Sequence, residues 1–212
     1  MASIVPKKVA IIIGSTRPVR AGPAVASFIS RILSSSPSFP KITLTTLDVA
    51  TFNLPILNEP LLPAMIPARG SYTHSHSIAW SEAISPFDAY ILVSPEYNFG
   101  VPASVKNAID YVYNEWIGKP ILIVTYGIQG GKESSAQLGT ILTGMKLGVV
   151  EMKPQLTFRA EEKFLPVSTG ELGPLTVGDW EKEGKEPLLK GFEELIEKLE
   201  KPAEEESKDK AA

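Results

Sequence analysis

The sequence predicts a single α/β domain: a doubly wound, five-stranded parallel sheet of order 2-1-3-4-5 with helices on both faces. Two observations predict it. Strand-like and helix-like segments alternate along the chain as βαβαβαβαβα. Three of the strands, at 9–13, 89–93 and 120–125, are short unbroken apolar runs, the pattern of strands buried on both sides. In such a fold, ligands bind outside the carboxyl ends of the strands near the point where the strand order reverses. The 212 residues suit one hydrophobic core, and the domain is expected over 1–200.

The elements follow in order. Residues 9–13 (VAIII) are β-branched and stop at Gly14. Pro23 opens the first helix, where no N–H is needed, and Val25, Phe28, Ile29, Ile32 and Leu33 share one face. Residues 41–49 (KITLTTLDV) alternate as a strand. Residues 53–72 hold four prolines and form a long irregular loop, either functional or a plain connector. Ile78, Ala79 and Ile84 mark a short helix over 77–85. The third strand, 89–93 (AYILV), ends at SPEYN. A helix over 105–116 carries Val105, Ala108, Ile109, Val112 and Trp116 on one side. The fourth strand, 120–125 (PILIVT), ends at YGIQGG. A helix near 134–147, a fifth strand near 149–158 and a turn-rich stretch over 164–187 come next. Leu188, Leu189, Phe192, Leu195, Ile196 and Leu199 mark the last helix. Residues 201–212 are charged and lack apolar periodicity, so a disordered tail is expected.

Composition narrows the function classes. Hydrophobic residues make up 43% of the chain and the net charge is -3, which gives no reason to expect a nucleic acid or a membrane surface as partner. Residues 181–212 hold 11 acidic and 7 basic side chains, leaving the rest of the chain near neutrality and free to gather basic groups at one site. There is no cysteine, which excludes disulfides, thiolate catalysis and cysteine-ligated metals. The N-terminal apolar run is too short for a signal core or a membrane span, so a cytoplasmic protein is expected.

Three loops are unusual, and they follow strands one, three and four. The first, 14–22 (GSTRPVRAG), joins a strand to a helix N-terminus, where backbone N–H groups and the helix dipole favour an anion. Ser15 and Thr16 offer hydroxyls, and Arg17 and Arg20 offer phosphate-forking guanidiniums. The alternative is a tight turn with two solvated arginines. No G-x-G-x-x-G or Walker pattern is present. The second loop, 95–102 (PEYNFGVP), offers main-chain amides to the polar edge of a flat heterocycle, with a Tyr or Phe ring near it. The alternative is an ordinary turn with Ser104 as helix cap. The third, 126–131 (YGIQGG), lets the backbone approach a ligand closely, or is simply a flexible turn. Together they outline a mononucleotide lying along the sheet edge. His74 and His76 are taken as solvated residues with no metal site, and Ser15 has no identifiable His/Asp pair for a hydrolase triad.

In GSTRPVRAGP, PEYNFGVPASVKNAIDY and YGIQGG, over about residues 8–160, the sequence resembles the NADPH-dependent FMN reductase family, with its quinone-, azo- and chromate-reducing members. The resemblance implies a flavodoxin-like fold, FMN as cofactor, NAD(P)H as co-substrate and a homodimer or tetramer. It implies that Ser15, Arg17 and Arg20 hold the FMN phosphate. Pro95, Glu96, Tyr97 and Asn98 then line one side of the isoalloxazine, and Tyr126, Gly127, Gly130 and Gly131 the other. Ala21 stands where many members carry Ser or Thr, and Pro102-Ala103 where many carry Pro-Gly. Tyr111, Tyr113 and Trp116 are aromatics suited either to a subunit interface or to the core. The implied activity moves a hydride from NAD(P)H to the flavin and electrons on to a small acceptor. The cofactor carries that chemistry, so no catalytic acid or base is assigned. The alternatives are an FMN-binding electron carrier and a redox-switched interaction protein.

Overall fold

Four parallel strands make the body of the sheet: β1 (Lys7–Ile13), β2 (Ile42–Asp48), β3 (Ala89–Pro95) and β4 (Pro120–Gly127), in the order β2-β1-β3-β4. The structure, a computed structural model, describes residues 5–66 and 70–201. Two short strands, β5 (Gly148–Val149) and β6 (Gln155–Thr157), complete the far edge, and both run parallel to β4. The order 2-1-3-4-5 therefore holds, but the single fifth strand expected over 149–158 is broken. Val150 N–H still donates to Ile121 O, whereas Met152 N–H donates to the Glu194 carboxylate. Pro154 has no N–H for the ladder and only accepts, from Thr125 N–H at 3.0 Å.

Among the described residues the α-helices are α1 (Gly22–Leu33), α2 (Ser75–Ile84), α3 (Ala103–Asp110), α4 (Lys132–Gly144), α5 (Leu165–Ser168), α6 (Pro174–Asp179) and α7 (Lys185–Glu200). Side chains alternate across the sheet, and the two faces build two separate cores. Val9, Ile11, Ile91, Val93, Leu122 and Val124 pack with Phe28 and Ile29 of α1 and Phe192 and Leu195 of α7. Ala10, Ile12, Tyr90, Leu92, Ile121 and Ile123 pack with Trp80 of α2, Ile109 of α3 and Leu138 of α4. Each fully buried Ile or Leu contributes about 1.5–3 kcal/mol, so the layers rather than local propensity hold the helices in place.

Two helices depart from expectation. α3 ends at Asp110, six residues before Trp116. The cause is Glu115, whose fully buried carboxylate accepts from Tyr113 N–H at 3.1 Å, Ser81 Oγ at 2.5 Å and Tyr72 Oη at 3.0 Å. A backbone N–H held by a side chain two residues on cannot continue the helical ladder. The indoles of Trp80 and Trp116 then donate to the Ala108 and Ile109 carbonyls near the helix end. Tyr111 and Trp116 are buried in their own core, so they do not form an exposed interface face. The stretch 164–187, expected as turns, is largely helical: α5 and α6 lie within it, and one π-helical turn, Trp180–Gly184, leads into α7. Pro187 has no N–H to give and its ring crowds the carbonyl four residues back, so the ladder widens there.

The proline-rich stretch after β2 is pinned to α3. Asn107 accepts from Leu57 N–H and donates to Pro55 O, Tyr111 Oη donates to Asn58, and Asn114 donates to Ile66 O. His74 and His76 stack with ring centroids 5.2 Å apart, and both ring Nε2 atoms contact Asn58. Among the described residues no group of His, Cys, Asp and Glu is arranged to hold a metal ion, and no helix is long and apolar enough to cross a membrane. Of the tail expected over 201–212, residues 202–212 lie outside the described residues.

Replacing Glu115 tests the knot between Tyr72, Ser81 and Tyr113. Glu115→Ala leaves buried donors unmatched and is expected to lower unfolding stability by about 3 kcal/mol or more. Glu115→Gln, which keeps an acceptor oxygen, loses less. Chemical denaturation of the two variants measures both.

Candidate functional site

The loops after β1, β3 and β4 meet at the carboxyl edge of the sheet. The first begins where Gly14 N–H donates to Val93 O at 2.9 Å, joining it to β3. A methyl group at Gly14 would collide with Val105, and Ser104 Oγ donates to Gly14 O at 2.8 Å. Ser104 thus ties α3 to the first loop and does not cap its helix, whose N-cap is Pro102. Ser15 is fully buried and its hydroxyl has no aligned hydrogen-bond partner. A buried hydroxyl left unmatched costs about 1–3 kcal/mol, so it marks a place built for something else. It sits before the N-terminus of α1, where Ala21 is the N-cap and gives no side-chain bond. Gly22, at the first position of α1, has no room for a Cβ against Ser15 Oγ and Ile13.

The two arginines of this loop separate. Arg20 forks the Asp48 carboxylate at 2.6 and 3.1 Å and also donates to Ser15 O at 3.0 Å, half-buried. It braces the loop against the end of β2. Arg17 is exposed, and its guanidinium lies against the Tyr97 phenol. Burial raises the Tyr97 pKa, and Arg17 opposes the rise.

In the second loop, Pro95 is the last residue of β3, and Tyr97 and Gly100 exchange backbone hydrogen bonds of 3.1 Å in both directions. Asn98 lies at the hairpin tip with φ 49°. Glu96 turns to α4, where its carboxylate accepts from Glu133 N–H at 2.8 Å and Ser134 N–H at 3.1 Å. A negative charge there satisfies orphan N–H groups and faces the positive end of the helix dipole. In the third loop, Tyr126 is the last residue but one of β4, and burial pushes its phenol well above the ordinary tyrosine range, so it stays protonated. Its hydroxyl lies beside Ser15 and Gly22. Gly127, Gly130 and Gly131 all have positive φ. At Gly131 (φ 78°) a Cβ would press on Thr125, so no other residue fits the turn into α4.

All eleven residues singled out by sequence therefore stand along one edge. Three that the sequence did not single out support them. Asp48 ends a strand with no mark distinguishing it from a surface acid. Ser104 carried the signal of a cap. Gln137 lies two turns into α4, and its amide accepts from Val101 N–H and donates to Phe99 O.

A doubly wound sheet with its loops gathered at the switch point is the architecture of flavodoxin-like proteins, and solved structures give the same class. The flavoenzyme NAD(P)H:(acceptor) oxidoreductase of Paracoccus denitrificans superposes with a TM-score of 0.62 at 21% identity, covering 88% of this chain and 97% of that one. Sequence comparison narrows the class. The model of the NADPH-dependent FMN reductase family matches residues 7–163. A NAD(P)H-dependent FMN reductase of Nectria sp is 42% identical over 200 residues, 93% of this chain and 99% of that one. The NAD(P)H-dependent FMN reductase of Saccharomyces cerevisiae is 37% identical over 147 residues, 68% of this chain and 77% of that one. Other relatives are named quinone reductase and NADPH:quinone oxidoreductase. The chain belongs to the NADPH-dependent FMN reductase family and is a flavin-dependent oxidoreductase that uses FMN with NAD(P)H.

The Glu96 cap carries a prediction about the site's framework. Glu96→Ala is expected to cost about 1–2 kcal/mol of stability through the loss of a charged cap, and to raise hydrogen exchange at Glu133 and Ser134. Exchange at those two amides that matches wild type would show that the carboxylate does not hold them.

Proposed function

We propose that the three-loop edge holds FMN with its phosphate at the first loop and its ring between the second and third, and that reducing equivalents pass from NAD(P)H to a small acceptor. The candidate acceptors are a quinone, free flavin, an azo compound or a metal oxyanion. The observation that carries the site is Ser15, a buried hydroxyl with no aligned partner in front of a helix N-terminus that has no side-chain cap. An anion with several acceptor oxygens fits both features.

Ser15 Oγ and the first amides of α1 hold the phosphate. Arg17, exposed beside Tyr97, adds a charge-assisted bond. Arg20 acts through the loop, because its guanidinium is already shared between Asp48 and the Ser15 carbonyl. Ala21, where many members carry a hydroxyl, leaves Ser15 and Arg17 a larger part of the phosphate grip. Pro95, Tyr97 and Asn98 present backbone to one side of the ring, and Glu96 fixes their distance from α4. Tyr126, Gly127, Gly130 and Gly131 border the other side, where the missing side chains let backbone approach. Bound FMN supplies the hydride acceptance and electron delivery. The residues named bind it, orient it and keep donors protonated around it.

A homodimer or dimer of dimers fits the surface. Ile56 is 88% exposed, and Leu61, Leu62 and Met65 on the same pinned loop are also exposed. An apolar cluster held in place in this way suits a second copy of the chain. A cytoplasmic setting agrees with the cysteine-free sequence.

The first test is an absorption spectrum of the purified protein, followed by mass analysis of the released cofactor. Bound FMN supports the reading, and FAD or no flavin removes it. Titration of flavin-free protein then examines the phosphate loop. Arg17→Ala is expected to weaken FMN binding by about 10- to 150-fold, with a smaller loss for riboflavin, which lacks the phosphate. Ser15→Ala should leave the flavin-free protein at least as stable as wild type, since the buried hydroxyl has no aligned partner to lose, while FMN affinity falls about tenfold. Equal losses for FMN and riboflavin would take both residues away from the phosphate.

Light scattering examines the assembly. The expected mass is twice or four times the 23.0 kDa of one chain, and a monomer at micromolar concentration would contradict it. Leu62→Glu together with Met65→Glu is expected to lower the mass toward that of the monomer without unfolding.

A further inference from the structure

We propose that Phe99 is a specificity-determining residue, an aromatic platform at the rim of the site that favours flat aromatic acceptors over compact hydrophilic ones. The proposal rests on the flavin site described above and concerns the step after it, the entry of the acceptor.

The backbone supplies the first argument. Asn98 and Phe99 are the two central residues of the hairpin turn between Tyr97 and Gly100, with φ 49° and 61°. Tight hairpins that need left-handed backbone at both central positions favour Asn followed by Gly. Here the glycine comes one residue late, at Gly100, and a phenylalanine takes the second left-handed position. A bulky side chain is rarely found there, because its Cβ crowds the following carbonyl.

Packing does not repay that strain. The Phe99 side chain is 73% exposed and belongs to neither core. The strained backbone is nonetheless fastened. Gln137 donates to Phe99 O at 3.2 Å and accepts from Val101 N–H at 3.1 Å. Gly100 makes room for this clamp, since a Cβ there would come within 3.1 Å of Gln137 Oε1. At the other end of the loop Glu96 is bonded to the first amides of α4. A strained conformation held from both ends, with an apolar ring left in water, is the pattern of a residue kept for function.

Position gives the function. The hairpin follows β3 directly, beside the point where the strand order reverses, and its Tyr97 phenol touches Arg17 of the first loop. Ile128, 51% exposed on the loop after β4, is a second apolar residue at the same sheet edge. A phenyl ring at that rim offers a stacking face and apolar area to a planar aromatic molecule. It offers little to a charged, strongly hydrated complex ion.

The test compares wild type, Phe99→Gly and Phe99→Tyr as flavin-loaded protein, with menadione and ferricyanide as acceptors. Phe99→Gly is expected to raise the melting temperature, because glycine adopts left-handed backbone freely. Its flavin should still be reduced by NADPH, which keeps the acceptor step measurable. Its KM for menadione should rise on the order of tenfold, the scale of one aromatic contact and its buried area, while ferricyanide kinetics change less than about twofold. Phe99→Tyr, which keeps the ring, should restore the menadione KM. Four results would overturn the proposal: an unchanged menadione KM, equal losses with both acceptors, a lowered melting temperature, or a fall in oligomer mass that makes Phe99 an interface residue. If wild type neither retains FMN nor is reduced by NADPH, the flavin reading itself fails, and that outcome is distinct from the other four.

Discussion

Strand β3 is buried along all seven of its residues, and much of the molecule follows from that. A backbone buried on both faces must find its hydrogen bonds within the sheet, so β3 needs a strand on each side, and β1 and β4 supply them. Both faces must also be covered, which requires the layer of α1 and α7 and the layer of α2, α3 and α4. Polar chemistry is then confined to the ends of the sheet. At the carboxyl end, three loops from neighbouring central strands are brought together because the sheet leaves them no other place.

Of the helices that start at that edge, α1 and α4 are treated differently. α4 receives an internal anion, the Glu96 carboxylate, across its first amides. α1 receives none: its N-cap is Ala21, and the hydroxyl in front of it belongs to Ser15 and has no aligned partner. Neutralising one helix dipole from within leaves the other as the attractive place for an external anion. The same carboxylate also fixes the loop after β3 to the helix after β4. Arg20 does the matching work on the other side, joining the first loop to the end of β2 through Asp48.

A second polar knot works away from the edge. Glu115 is buried among the Tyr72 and Ser81 hydroxyls and the Tyr113 amide. It ends the helix after the second loop early and draws the proline-rich stretch onto it, with Asn107, Tyr111 and Asn114 as further anchors. A segment with four prolines cannot build its own ladder, and these side-chain bonds replace it. The result is a fixed loop that carries Ile56, Leu61, Leu62 and Met65 in the open.

The sequence by itself determined the doubly wound sheet and which loops gather at its carboxyl edge. Unbroken apolar runs at 9–13, 89–93 and 120–125 required double burial, and the alternation with helices required parallel crossovers. Polar, glycine and proline residues that interrupt those patterns, from Ser15 to Gly131, marked the loops at that edge. Tertiary structure decided what each side chain does there. Arg17 and Arg20 look alike in sequence, yet one is exposed and the other is taken by Asp48, a partner 28 residues away. Glu96 sits inside the loop that borders the proposed ring site but bonds α4, 37 residues on. The break in the fifth strand and the early end of α3 also involve partners outside any local window, Glu194 for the one and Tyr72 and Ser81 for the other. Local patterns record burial and backbone preference, which act over a few residues. Hydrogen bonds between side chains and distant amides depend on where the packed layers bring the chain, and sequence spacing carries no trace of that distance.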